Sequence, residues 1–190
     1  MVKVVKQILI ILVLSIVVGF IVNAVNPKGV PLVMDMKKYS TEQSDKLKED
    51  FINNPYDTTQ KDASLIKNPR LNKEGFVEPQ NIKHDFAKIL FDRKALFIDG
   101  RNREDYNSGH IKGAISIPYE EFHKKTKEER TEMMRGYNKN GIIVCYCLGG
   151  ECEMSIDLAY DIARLGFTSV NIIFPGGYKE WEAAGYPVEK

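Results

Sequence analysis

The sequence predicts an α/β domain, a mostly parallel sheet with helices on both faces, set behind one N-terminal apolar helix. Three observations carry that expectation. From Pro79 onward, short apolar runs alternate with amphipathic stretches, the pattern of strand–helix–strand units. The strand-like runs are continuously apolar, as strands covered on both faces are. Ahead of them, Ile8 to Val25 is an uncharged apolar run unlike anything that follows.

That run is interrupted only by Ser15, Gly19 and Asn23. As a helix it extends roughly 27 Å, enough for the hydrocarbon core of a bilayer. Lys3 and Lys6 precede it and favour a cytoplasmic N-terminus, although Lys28, Lys37 and Lys38 dilute the asymmetry. Residues 1–25 are therefore expected to be a single-pass anchor, with the rest of the chain outside the cytoplasm, periplasmic or at the cell surface. Val22-Asn23-Ala24 is a tolerable cleavage site, so a signal peptide and a secreted product stay open. Residues 26–78 turn polar, with Pro27, Pro31, Pro55 and Pro69, and read as a tether containing a short charged helix within Lys37 to Phe51.

The elements of the domain, residues 79–190, follow in order. Asn81 is expected to cap a helix whose apolar face is Ile82, Phe86, Ile89 and Leu90. Ala95 to Ile98 is a strand ending at Asp99, and Ala114 to Ile117 is a second, bounded by Gly113 and Pro118. Tyr119 to Tyr137 is charged and helical, broken into two pieces. Ile142 to Tyr146 is a third strand. Ser155 to Leu165 is an amphipathic helix stopped by Gly166. Val170 to Phe174 is a fourth strand, and Tyr178 to Ala184 the last helix.

Composition narrows the function. A formal net charge of +1 gives no case for nucleic acid. The three cysteines are too few for a disulfide scaffold, and Cys145, Cys147 and Cys152 crowd into one stretch, which points to a site. Cys147 ends a strand and faces a glycine loop and a helix start. In such sheets function sits at the carboxyl ends of strands. Backbone N–H groups and a helix N-terminus both favour the thiolate, the reactive form of cysteine.

Phe97-Ile98-Asp99-Gly100-Arg101, Glu104-Asp105-Tyr106 and Gly109-His110-Ile111-Lys112-Gly113-Ala114 with Ile117-Pro118 resemble the first signature of rhodanese-like domains. Gly176-Gly177-Tyr178-Lys179-Glu180-Trp181 with Gly185-Tyr186-Pro187 is similar to their closing signature. The resemblance implies a five-stranded parallel sheet and a cysteine, Cys147, that carries sulfane sulfur as a persulfide. It also implies that Asp99 and Arg101 lie near the site, Asp99 ordering loops and Arg101 pairing with a carboxylate. Gly109, Gly113, Gly176 and Gly177 are expected in tight turns, His110 in a structural hydrogen bond, and Trp181 in the core.

One departure matters. The family pattern Cys-x-x-Gly-x-Arg-Ser places an arginine at the helix start, whereas here Met154 or Cys152 takes that position. No Lys or Arg occurs between Cys145 and Arg164. A charge-assisted arginine contact to an oxyanion is worth roughly 1.5–3 kcal/mol. Glu151 and Glu153 instead repel anions and favour the thiol over the thiolate. Thiosulfate is thus expected to be a poor donor and a neutral or thiol-bound sulfane donor a better one.

The expected site comprises Cys147 as nucleophile, Cys152 as a second catalytic thiol, and Leu148, Gly149, Gly150, Glu151, Glu153, Met154, Ser155, Asp99 and Arg101 around the substrate. Ser155 is expected to cap the helix and loop N–H groups to cradle the sulfur. Cys152, five positions on, is within disulfide reach and is either a resolving thiol, a static staple or inert. Cys145 is expected to be a buried hydrophobe. Cys-x-Cys-x4-Cys lacks the paired knuckles of a zinc site, so no metal or other cofactor is expected. Three functions stay open: a membrane-tethered sulfurtransferase taking sulfur from a small donor to a thiol acceptor, a Cys147/Cys152 thiol–disulfide module, and a non-catalytic interaction domain with an unidentified protein partner.

Overall fold

The computed structural model describes residues 2–26, 40–53, 71–150, 152–173 and 176–190. It falls into two units, residues 1–36 and 37–190. The first holds one helix, α1 (Val2–Val25), long and apolar enough to cross a membrane. An anchor and a signal sequence meet that criterion equally.

The second unit is an α/β body. Its elements are α2 (Ser44–Asn53), β1 (Gln80–Ile82), α3 (His84–Asp92), β2 (Leu96–Asp99), α4 (Arg103–Ser108), β3 (His110–Ile111), β4 (Ile115–Ser116), α5 (Tyr119–His123), α6 (Lys127–Met133), β5 (Ile143–Tyr146), α7 (Met154–Arg164), β6 (Val170–Ile173), α8 (Gly177–Ala183) and β7 (Val188–Glu189). Five strands form one parallel sheet in the order β1-β6-β5-β2-β4. The expected architecture is therefore present, with β5 at its centre.

The continuous apolar strands bury both faces because residues alternate sides. On one face Ile98, Ile143, Cys145 and Ile172 pack with Ile156, Leu158, Ala159 and Ile162 of α7. On the other, Phe97, Val144, Tyr146 and Ile173 pack with Phe86 and Leu90 of α3 and Trp181 of α8. Each fully buried large side chain contributes about 1.5–3 kcal/mol. The α7 apolar stripe thus fixes that helix, and its N-terminus, over the end of β5. Gly166, with φ +92°, ends the helix and donates to the carbonyl of Ala163 at 2.9 Å.

Several expectations need correction. Asn81 lies in β1, not at a helix cap; its side chain donates to the carbonyl of Ser40 at 3.1 Å, and α3 starts after Lys83. Pairing of Gln80–Ile82 with β6 claims those residues for the sheet edge. Parts of the expected tether are packed on the body. Phe51 of α2 is buried against Phe86, ring centroids 5.8 Å apart, and the Ser44 hydroxyl accepts from the N–H of Lys83 at 3.0 Å. Phe76 is buried and meets Tyr160 edge-on. A small antiparallel pair, β3 with β7, was not anticipated. Gly176 has an ordinary helical φ of −65°. Phe174, the expected end of the fourth strand, lies outside the described residues.

Candidate active site

The site is built where β5 ends. Cys147 follows Tyr146 directly and is only 2 % exposed. Gly149 and Gly150, with φ +111° and +68°, turn the chain through conformations that side-chain-bearing residues avoid, and so return it to the start of α7. The return brings Cys152 back to Cys147: their Cα atoms are 6.5 Å apart, within the roughly 4.4–6.8 Å that a disulfide spans, and the two sulfurs are joined. Cys147 Sγ also lies 3.1 Å from the carbonyl oxygen of Cys152.

Ser155 has a different position from the expected cap. A capping residue has extended backbone and aims its side chain at the first free N–H groups. Here Glu153 occupies the cap position with helical backbone and no side-chain cap bond, and Ser155 is already inside the first turn. Its buried hydroxyl donates to Cys147 Sγ at 3.4 Å. Met154, one of the two residues that could match the family's arginine, opens the helix.

The far side of the loop is clamped by α8. The N–H of Tyr178 donates to the Cys147 carbonyl at 2.8 Å, and that of Lys179 to the Leu148 carbonyl at 3.1 Å. These are free N–H groups of a helix start, satisfied by carbonyls that a loop leaves open. The closing signature, read from sequence as turn and core, therefore fastens the cysteine loop. Nothing in its spacing pointed to that contact.

Asp99 and Arg101 engage each other. Both are buried; Arg101 Nε and Nη2 donate to the Asp99 carboxylate at 2.7–3.1 Å, and Nη2 also to the Gly109 carbonyl at 2.7 Å. The guanidinium sits 4.3 Å from the Tyr178 ring centre. Burial works against its charge, but the Asp99 contact outweighs it and holds the Arg101 pKa above its ordinary value. Asp99 pairs in register with Tyr146, on the strand that ends just before Cys147. Arg101 is thus the carboxylate partner expected, held between Asp99, the Gly109 carbonyl and the Tyr178 ring. Arg164, the next basic residue after the cysteines, is at the other end of α7 with Asp161 and Glu74. A cavity of about 460 Å³ lined by Phe76, Arg130, Asp161 and Arg164 lies there too.

Leu148, 37 % exposed, and Glu153 are the solvent-facing loop side chains among the described residues; Glu151 lies outside them. Cys145 is fully buried, and burial pushes its thiol well above the ordinary range. His110 Nδ1 donates to the Tyr106 carbonyl oxygen at 2.9 Å, and its ring stacks on the Tyr106 ring, the structural part expected of it.

The family model described as "Rhodanese-like domain" matches residues 83–184. The chain belongs to the rhodanese-like domain family. Among curated relatives it is 37% identical over 87 residues to a tRNA uridine(34) hydroxylase of Buchnera aphidicola, covering 43% of this chain and 26% of that protein. It is 36% identical over 107 residues to the HTH-type transcriptional regulator Rv0324 of Mycobacterium tuberculosis, covering 55% of this chain and 43% of that protein. The rhodanese-like chain thus spans less than half of either relative. Among solved structures it resembles the BH2092 protein of Bacillus halodurans (TM-score 0.46, 27% identity, 59% of this chain and 76% of that one) and the human single-domain sulfurtransferase TSTD1 (TM-score 0.42, 20% identity, 56% and 96%).

Proposed function

We propose that this rhodanese-like domain is a sulfurtransferase in which Cys147 carries sulfane sulfur, held at a membrane by α1 with the α/β body outside the cytoplasm. The observation that carries the reading is the placement of Cys147 Sγ at the end of the central strand, with the Ser155 hydroxyl donating to it and the α7 N-terminus behind it. A hydroxyl donor and a helix start both favour a charged sulfur.

The Cys147 thiolate attacks the sulfane sulfur of a donor R–S–S–H, and R–S⁻ leaves with the bonding pair. A persulfide remains on Cys147. An acceptor thiolate then attacks the outer sulfur, and Cys147 leaves as thiolate, ready for another cycle. Backbone N–H groups of Leu148 to Gly150 and of Cys152 to Met154 are assigned to stabilise the charge that develops. Without a loop cation, small thiol-bound donors are favoured over the thiosulfate dianion.

A second reading is a thiol–disulfide module that cycles Cys147 and Cys152 without sulfane sulfur; their pairing favours it. The test uses the reduced full-length Cys152→Ser chain in detergent micelles, given an organic persulfide or thiosulfate. Sulfur transfer requires uptake of one sulfur on Cys147, abolished by Cys147→Ser and faster from the persulfide. A wild type that a small disulfide oxidant converts to the Cys147–Cys152 disulfide, the oxidant being reduced to its thiols, beside a variant that takes up no sulfur, would favour the second reading. An unmodified Cys147 would leave only a binding role.

A further inference from the structure

We infer that Cys152 discharges the Cys147 persulfide internally, releasing hydrosulfide, so that the domain acts as a sulfane-sulfur reductase as well as a carrier. This rests on the sulfur-transfer reading above and adds the fate of the sulfur.

The two nucleophiles, a solvent acceptor and Cys152, reach different sulfurs. In a Cys147 persulfide the inner sulfur is Sγ, held beneath the loop at a residue 2 % exposed. An acceptor from solvent meets the outer sulfur first. Cys152 is placed otherwise: its sulfur lies directly against Cys147 Sγ, with Cα atoms 6.5 Å apart. Its attack therefore falls on the inner sulfur. That sulfur's bond to the outer one breaks, and the outer sulfur leaves with the electron pair as hydrosulfide.

Atoms and electrons balance. Cys147–S–SH and Cys152–SH become the Cys147–Cys152 disulfide and H₂S. The outer sulfur gains two electrons, and the two cysteine sulfurs together lose two. Hydrosulfide is a less basic leaving group than an alkyl thiolate, which speeds thiol–disulfide exchange in this direction. The loop also offers no Lys or Arg to retain an anionic persulfide, and it carries Glu153. Resetting needs an external dithiol, which takes over the disulfide. Its first attack falls on Cys152, the more accessible of the pair. Cys147 then leaves as the thiolate stabilised by Ser155. The net reaction is R–S–SH plus a dithiol giving R–SH, H₂S and the oxidised dithiol.

The test is a single turnover. The reduced, desalted full chain in detergent micelles receives one equivalent of a small organic persulfide labelled in its sulfane sulfur, with no reductant. The wild type is expected to release one labelled hydrosulfide per chain and to lose two hydrogens as Cys147 joins Cys152. A second equivalent is then processed only after dithiothreitol is added. Cys152→Ser and Cys152→Ala are expected to keep the label on Cys147 and to release hydrosulfide at least about tenfold more slowly. Release from both variants at the wild-type rate overturns the inference while label on Cys147 leaves sulfur transfer standing. No label on Cys147 in either variant overturns the sulfur-transfer reading and the inference with it.

Discussion

Gly177 makes room for the backbone of Cys147: a Cβ on Gly177 would lie 2.6 Å from the Cys147 carbonyl oxygen and 2.6 Å from the Gly149 nitrogen. Its φ of +57° is also in the left-handed region. The cysteine loop and the start of α8 can approach only because this residue has no side chain, and the Tyr178 N–H then closes the contact.

Gly177→Ala should therefore be costly. Left-handed backbone adds roughly 1–2 kcal/mol, and forced displacement of packed atoms about 1–3 kcal/mol. The expected outcome is a loss of about 2–4 kcal/mol in denaturant unfolding, with sulfur uptake impaired because the loop moves. An unchanged midpoint would contradict the clamp.

Asp99→Asn leaves the Arg101 guanidinium, 3 % exposed, without its counter-charge. Breaking one partner of a buried pair costs about 3–5 kcal/mol, whereas replacing both by apolar residues costs much less. Asp99→Asn should thus unfold well before Asp99→Leu/Arg101→Met. Equal stability of the two would show that the pair bears no strain from burial.

Ser155→Ala removes the hydroxyl donor to Cys147 Sγ. A hydrogen bond to a charged group is worth enough to slow alkylation of reduced Cys147 by iodoacetamide about tenfold at neutral pH. The pH profile of that reaction should move to higher pH, with folding stability nearly unchanged. A capping role would give the opposite pattern, lost stability with an unmoved profile.

Alkaline pH should destabilise the body. Burial pushes the Cys145 thiol and the Tyr146 hydroxyl above their ordinary values of 9.0 and 10.0, Tyr146 also under the influence of Asp99. Unfolded, both ionise near those values; folded, both keep their protons. Below about pH 9 the contribution is fully present. Above it the native state holds more protons than the unfolded chain, so stability falls by about 1.4 kcal/mol per pH unit for each group. Unfolding free energies measured from pH 7 to 11 should be flat and then decline, with Cys145→Ala delaying the onset.

Much of the fold was legible because apolar runs and glycine stops are local signals. Ile143–Tyr146, Met154–Arg164 and Val170–Ile173 lie within a residue of their expected bounds. Contacts distant in sequence were not legible. Asn81 has a capping side chain but answers to β6 and to Ser40. Phe51 sits in a charged stretch that reads as tether, and its burial depends on Phe86, 35 positions away. In the site, the strand–loop–helix order located Cys147 and put Cys152 within reach. Whether Ser155 capped the helix or faced the sulfur turned on where α7 begins, and helix starts are poorly marked when no side chain caps them. The α8 clamp is made by backbone N–H groups, which every residue carries, so no residue type announces it.

Sulfane sulfur on Cys147 is read out by peptide-resolved mass spectrometry of the full-length Cys152→Ser chain after an organic persulfide. Blocking discharge in this variant should trap the intermediate. The expected result is one added sulfur, located on Cys147 and removed by a thiol acceptor. An unmodified Cys147, or sulfur found only on another residue, would contradict it.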